Sequence, residues 1–494
     1  MTAAHSGRRK GRDLQAELKA RILDGTYPAG ACLPSTRSLA AERGLARSTV
    51  STVYEQLAAE GFIDSRSGAA SRVAQGAAPL AGGGLEAGAG GASRVDGEVR
   101  LSALGERVRQ LQPPRVSTPA VVPEDPAVVD FVYGPLAGRD FPTSAWERAV
   151  RQAGRERPER LAYGDPRGDP GLRAALQSHL SRTRGLACHP DQLMIVNGSQ
   201  QALDLCARLL VDPGDTVAVE NPGYRMAHQV FEAAGAHLAG VEVDAQGLRT
   251  DRLPCGEGAR LACVTPTHQF PLGSFLSVPR RHALLAWAQR QGAWIVEDDY
   301  DSEYRHALRA DATLHTLDAH QSVIYVGTFS KTLSPQLRLG YMVLPRALAD
   351  VFAAARRLGD RHAPFGTQRA LAAMMESGSY DRHVRRIRRL QDARRTALLE
   401  SIGQYFGDRA VVEGASGGLH VVVRLPGVSC SLEPDLAARA LRHGVRIYPL
   451  GPFHLPSQAD VPDRPAGFVM GYALLEPAQV QEGVRRLAAA FPGV

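Results

Sequence analysis

Residues 322–341 read SVIYVGTFSKTLSPQLRLGY, and this stretch decides the fold. The run VIYVG has the length and β-branched content of a buried strand. Directly after it stand Ser330, Lys331 and Thr332, with Arg338 seven positions beyond the lysine. A plain surface lysine is the ordinary reading. A sharper one follows from composition, because the chain has 58 basic residues and only three are lysines, Lys10, Lys19 and Lys331. Coding bias explains the excess of arginine, but an amine that must lose its proton and form a Schiff base cannot be supplied by arginine. Similar short apolar runs lie upstream: QLMIV, DTVAVE, RLACV and AWIVE, with amphipathic helical patterns after the first three. Buried runs separated by helices predict parallel strands with crossovers, hence an α/β domain with a mainly parallel sheet over residues 127–494.

Two further groups bear on Lys331. The run AWIVE ends in Asp298-Asp299-Tyr300, so a carboxylate emerges at a strand end on the edge that Lys331 shares. QLMIV runs into NGSQQALDL, where Gly198, Ser199 and Gln200 open a helix whose first amides can face an anion. An amine, an acid for a ring nitrogen and a phosphate cradle together fit one cofactor, pyridoxal 5'-phosphate. Asp298 is the expected pyridinium partner, and Tyr224, after DTVAVE, can stack on the ring. The plainer alternatives are a solvated acidic loop, a helix cap at Ser199 and core packing for Tyr224. Asp299, Asp301 and Glu303 alternate, but an EF-hand wants Gly and Glu where the chain has Tyr304 and Ala310, so no metal site is expected.

The first 75 residues hold 11 basic and 7 acidic side chains, over half of the net charge of +7. Leu14, Leu18 and Ile22 fall at helical spacing, TRSLAAERG follows as a second helix, and LARSTVSTVYEQLAAEG as a third. In the third, Val50, Val53, Tyr54 and Leu57 share one face, while Ser48, Ser51, Thr52 and Glu55 lie opposite, with Arg47 at the N-terminal edge. That split suits a recognition helix in a DNA major groove, with Arg37 and Thr49 nearby and a wing carrying Arg66 and Arg72 to phosphates. A small helical bundle with a solvated face is the bland alternative. Residues 74–93 contain 14 Ala or Gly among 20, which reads as a flexible linker extending over 76–126. Six scattered cysteines without a CxxC pair indicate reduced thiols in the cytoplasm. No apolar run of about 18 residues suggests a membrane span.

The strings G-x4-G-x2-LPSTRSLA, RSTV-x3-Y-x2-L-x2-EG and RSGAASRV resemble the winged helix-turn-helix of GntR-type regulators over residues 11–74. YGDPRGDPGLRAAL, NGSQQALDL, PGD-x4-ENPGY, TPTHQFPLG, EDDYDSEYR and SKTLSPQLRLGY, in that order, resemble the fold type I, class I aminotransferase domain. Joined, they resemble the MocR/GabR-type transcriptional regulators. The resemblance implies a mostly α head on residues 1–75, and a C-terminal α/β domain with a smaller α+β subdomain that forms a homodimer. It implies that Lys331 carries pyridoxal 5'-phosphate as an internal aldimine, that Asp298 pairs with the ring nitrogen, that Tyr300 bonds the phenolic oxygen and that Tyr224 stacks. Ser199, Gln200, Thr328 and Arg338 would hold the phosphate, and Tyr163 would reach the partner subunit's phosphate. The implied role is a regulator that binds double-stranded operator DNA and senses an amine, an amino acid or the cofactor itself; the alternative is a working aminotransferase with an accessory DNA-binding module. Three departures bear on that choice. The wing reads Gly68-Ala69-Ala70-Ser71 where GSGT is common, and Phe270-Pro271-Leu272-Gly273 replaces NPTG. Val469 stands where a late strand normally supplies the substrate-carboxylate arginine, leaving Arg225 or Arg446 as possible substitutes.

Overall fold

The computed structural model of the chain describes residues 2–65, 70–77, 101–111, 127–155, 162–305, 313–456 and 464–493. They form two compact units, Met1–Val99 and Arg100–Val494. In the first, α1 (Thr2–Leu23), α2 (Thr36–Arg43) and α3 (Arg47–Ala59) precede an antiparallel wing of β1 (Ile63–Asp64) and β2 (Arg72–Val73). Ser35 starts α2 by accepting the Ser38 amide at 3.1 Å, and Gly44 stops it in the left-handed region at φ 60°. The expected apolar face is the core: Leu14, Leu18 and Ile22 pack with Leu39, Val50, Val53, Tyr54, Leu57, Ile63 and Val73. Tyr54 is held in that core because its hydroxyl donates to the Pro34 carbonyl at 2.7 Å.

The second unit corrects the linker expectation at one place. Within 76–126, residues Ala103–Gln110 form α4, and Arg107 docks it by donating from Nε to the Ala233 carbonyl at 2.7 Å and from Nη2 to the Ala234 carbonyl at 3.3 Å. Those carbonyls end a later helix and have no intrahelical partner, so a long cation meets a ready acceptor. Then come β3 (Val129–Asp130), α5 (Thr143–Ala153), α6 (Pro170–Arg184), β4 (Leu193–Val196), α7 (Ser199–Leu210), β5 (Thr216–Asn221) and α8 (Arg225–Ala234). Next are β6 (His237–Asp244), β7 (Gly247–Leu248), β8 (Ala259–Val264), α9 (Val278–Gln291), β9 (Trp294–Asp299), α10 (Leu314–Leu317), β10 (Val323–Thr328) and β11 (Gly340–Val343). Strands β4 to β11 make one sheet in the order β4-β11-β10-β9-β8-β5-β6-β7, parallel from β10 through β6 and antiparallel at β11 and β7.

Alternate residues of these strands face opposite layers. Met194, Val196, Ile324 and Val326 pack under α7 and α8, while Leu193, Ile195 and Tyr325 pack under α5, α6 and α12 (Phe365–Glu376). Helices on both faces of a mainly parallel sheet make this the expected α/β fold. After α11 (Arg346–Gly359) and α12, the 28-residue α13 (Ser379–Phe406) leads into the smaller α+β subdomain. There β12 (Val411–Glu413), β13 (His420–Ser429), β15 (Tyr448–Pro449) and β16 (Pro465–Gly471) form a sheet, with α14 (Glu433–Arg442) and α15 (Pro477–Ala490) covering it; β14 (Val445–Arg446) pairs with β3. Among the described residues no helix is long and apolar enough to cross a membrane, and the six cysteines are unpaired.

Arg394 ties α13 to this subdomain. Its side chain is 2% exposed and donates to Asp140 Oδ2 at 2.6 Å, to the Ala473 carbonyl at 2.9 Å and to Glu476 at 3.3 Å. Arg394→Ala leaves the buried Asp140 without its cation and should lower the unfolding free energy of the large unit by about 3 kcal/mol. Urea unfolding checks this; a loss below about 1 kcal/mol would show that the pair is not what holds the junction.

Candidate functional site

Lys331, Asp298, Tyr300, Tyr224, Ser199, Gln200 and Thr328 sit at or just beyond the C-terminal end of a sheet strand, and Arg338 reaches the same edge two residues before antiparallel β11, whose Gly340 pairs with Thr328. The parallel register pairs Val326 with Asp298 and Gly327 with Asp299, so β10 delivers Thr328 and then Lys331 beside the end of β9. This edge is where open α/β sheets place ligands. Lys331 Nζ donates to the Gly134 carbonyl at 2.7 Å. Burial pulls the Lys331 amine below its ordinary pKa, against the opposing pull of Asp301 and Asp298.

Asp298 and Asp299 are neighbours with opposite surroundings, because successive strand residues face opposite sides. Asp299 accepts from Thr267 at 3.2 Å, from Arg184 at 3.3 Å and from Tyr325. Burial alone would raise its pKa, but these partners together with Ser302 hold it below the usual value. Asp298 is 5% exposed and its Oδ1 has no hydrogen-bond partner. Burial, with Asp299, Glu220 and Asp301 adding to it, pushes Asp298 up to about 7. An orphaned buried carboxylate that lacks a donor fits a protonated ring nitrogen.

The anion cradle is also assembled. Gly198, at φ 80°, precedes Ser199 and Gln200 at the start of the 12-residue α7. A Cβ on Gly198 would lie 3.1 Å from Arg338 Nη1, so the glycine is what lets the guanidinium lie over this helix start. Arg338 donates from Nη2 to the Asn197 carbonyl at 2.6 Å, and Thr328 Oγ1 donates to Ser330 Oγ at 2.9 Å and accepts from its amide at 3.1 Å. Arg338 thus lies against the start of α7, whose first amides can face an anion.

Aromatic rings line the rest. Tyr224 meets Phe270 edge-on at 6.0 Å and Phe270 meets Tyr300 at 6.2 Å. Burial, reinforced by Asp298, pushes Tyr224 up to about 12. Phe270 is aimed here because Gln269 anchors its loop, donating to the Pro222 carbonyl at 2.9 Å and accepting from the Leu272 amide at 3.0 Å. The fold gathers beside Tyr300 three residues far apart in the chain: His268, Asp301 and His420 are buried, with ligating atoms within 4.8 Å of one another. His268 Nδ1 lies 2.9 Å from Asp301 Oδ2 and 3.0 Å from the Tyr300 oxygen. Tyr163 is apart from the cluster, 74% exposed beneath Arg361 at 4.7 Å. Arg446 lies 3.6 Å from Asp130 Oδ2, and one nitrogen of Arg225 is buried without a hydrogen-bond partner. A cavity of about 290 Å³ lies elsewhere, at the opposite strand edge beside Val323, Asp318 and Arg346.

In the head, Arg37, Arg47, Ser48 and Thr52 are exposed on or beside α3, and Ser51 is half-buried. Two of the expected contact residues also make contacts within the head. Thr49 turns its methyl toward α1, where a Cβ on Gly11 would be 3.1 Å away, and Arg72 donates from Nη1 to the Gly30 carbonyl at 3.0 Å, bracing the wing. Thr52 Oγ1 donates back to the Ser48 carbonyl at 3.0 Å. Arg66, Gly68 and Ala69 lie outside the described residues.

Two family models match the chain: bacterial regulatory proteins of the gntR family over residues 10–73, and aminotransferase class I and II over residues 134–487. The chain is 36% identical over 489 residues to a probable rhizopine catabolism regulatory protein, MocR, of Rhizobium meliloti, covering 97% of this chain and 93% of that protein. It is 30% identical to the pyridoxine biosynthesis transcriptional regulator PdxR of Corynebacterium glutamicum, covering 87% and 86%. Among solved structures, the α-aminoadipate aminotransferase LysN of Thermus thermophilus, complexed with N-(5'-phosphopyridoxyl)-L-leucine, aligns with a TM-score of 0.64 and 30% identity over 74% of this chain and 92% of that one. A multiple substrate aminotransferase of Thermococcus profundus aligns with a TM-score of 0.68 and 28% identity over 79% and 95%. Matched in both modules and alike along nearly its whole length, the chain belongs to the MocR type of GntR-family bacterial regulators, whose winged helix-turn-helix is joined to an aminotransferase domain with pyridoxal 5'-phosphate as cofactor.

Proposed function

We propose that this chain regulates transcription in the cytoplasm as a homodimer, binding operator DNA through α3 and holding pyridoxal 5'-phosphate covalently at Lys331 to sense a small amine-bearing ligand. The observation that carries the reading is the orphaned Oδ1 of Asp298, buried on the same strand edge as the lysine and the anion cradle. When bound, the cofactor supplies an aldehyde carbon that captures primary amines. The chain does the rest. Burial favours the neutral, nucleophilic form of Lys331. Asp298 holds a proton on the ring nitrogen, Tyr300 positions the phenolic oxygen, and Tyr224 packs on the ring. Arg338, Thr328, Ser199 and Gln200 bind the phosphate, and the exposed Tyr163 is free to reach a partner subunit's phosphate. Regulation ranks above turnover because Val469, fully buried, leaves the late strand without a guanidinium to fix a substrate carboxylate.

Lys331→Ala should abolish the visible absorbance band of the cofactor-loaded protein; a band that survives dialysis in the variant would sink the assignment. Asp298 links cofactor to pH. Its folded pKa of about 7 lies above the unfolded value of 3.8, so its carboxyl favours folding while protonated, and that contribution is lost as pH rises through about 7. Asp298→Asn should therefore stabilise the cofactor-free protein at pH 8 by on the order of 2 kcal/mol while weakening cofactor binding. Thermal unfolding with and without cofactor tests both halves, and a variant less stable than wild type without cofactor would contradict the role. In the head, Arg47→Ala should weaken binding to the operator about tenfold. An unchanged gel-shift midpoint would move the contact elsewhere.

A further inference from the structure

The wall that faces Lys331 is aromatic and anionic. Gly134, the acceptor of the Lys331 amine, directly follows Tyr133. The Tyr133 ring meets Tyr448 at 5.5 Å, Phe453 at 5.6 Å and Phe270 at 5.7 Å, and Phe270 meets His420 at 5.2 Å. Behind these rings Val469 is 0% exposed, packed with Val243, Leu272, Val422 and Leu450. The charges acting on the lysine are the carboxylates of Asp301 and Asp298. His420 adds no positive charge near neutrality, since burial and the neighbouring His268 push it down to about 3. Arg446, beside this wall, is matched by Asp130, which also accepts from the Tyr448 hydroxyl at 2.9 Å. Arg338 belongs to the cradle at the other end of the site.

We propose that the ligand sensed at Lys331 is a primary amine with an apolar or aromatic body and no carboxylate. The proposal rests on the cofactor reading above and narrows it. A carboxylate entering this wall would be desolvated beside the buried Asp301, with aromatic faces where it needs donors. An ammonium meets the reverse: aromatic faces, the Gly134 carbonyl and Asp301 attract it, and its apolar body replaces water against Tyr133, Phe270 and Phe453. Capture is redox-neutral. With the cofactor bound, the ligand nitrogen would take over the double bond to its carbon as that carbon's double bond to Lys331 Nζ breaks, and two protons would pass from the incoming ammonium to the departing lysine nitrogen.

The test uses full-length protein loaded with cofactor and two probes that differ by the carboxylate alone, 2-phenylethylamine and L-phenylalanine. Each is titrated while the cofactor absorbance is followed. The amine should change the spectrum at a concentration at least tenfold lower than the amino acid. Equal sensitivity, a preference for phenylalanine, or no response to the amine overturns the proposal. Borohydride reduction and peptide mass mapping of the same preparation separate the two readings. If Lys331 carries the cofactor and the amine gives no response, only the ligand class fails; if Lys331 carries none, the cofactor reading fails and takes this proposal with it.

Discussion

The parallel pairing of β9 with β10 is the constraint on which the large unit's chemistry depends. It sets Asp298 level with Val326, and from there the chain needs only the turn through Phe329 to bring Lys331 to the same edge. Because β9 is pleated, the pairing also divides two adjacent acids between two faces: one satisfied by Arg184, Thr267 and Tyr325, the other left bare. A slip of one residue would exchange their roles, giving the site a carboxylate already paired and the helical layer an unpaired one. The register of VIYV against WIVE therefore specifies the electrostatics of the site as well as the core.

The free energy stored at this edge is considerable. Glu220, Glu297 and Asp298 are each pushed up to about 7, chiefly by burial. Glu220 is softened by Thr265 and Gln269, and Glu297 by two amides at the start of α10. Of these three only Asp298 keeps an oxygen without a donor, so a ligand that supplies one relieves strain that the fold already carries. Preorganisation of this kind is common at ligand sites, where local stability is given up for function.

Much of this architecture is legible in the sequence, and the reasons for the rest are physical. QLMIV, DTVAVE, RLACV, AWIVE and SVIYVG become β4, β5, β8, β9 and β10 because continuous apolar runs have few alternatives to a doubly covered sheet. β6, with its exposed His237 and Glu242, lacks such a run and is recruited by its neighbours. α4 is hidden in Ala/Gly-rich surroundings because what holds it is Arg107 on α8, a contact 126 residues away in the chain. The grouping of His268, Asp301 and His420 is likewise assembled by topology from three loops and strand ends, which no spacing rule can detect. Thr49 and Arg72 also serve the head itself, which one helix face or one wing read alone does not show: the Thr49 methyl lies toward α1 and one Arg72 nitrogen bonds the Gly30 carbonyl.

The scarcity of lysine has a chemical consequence for a protein that handles an aldehyde. Free pyridoxal phosphate condenses with any accessible amine, so most protein surfaces act as a weak, indiscriminate sink for it. Here residues 20–494 carry a single lysine, and in the head the Lys19 amine is engaged by Glu60 and lies over the Phe62 ring. Guanidinium groups elsewhere supply positive charge without joining that equilibrium. The large unit thus offers an aldehyde no lysine besides Lys331, so if that residue is the anchor the sequence holds no competing lysine there.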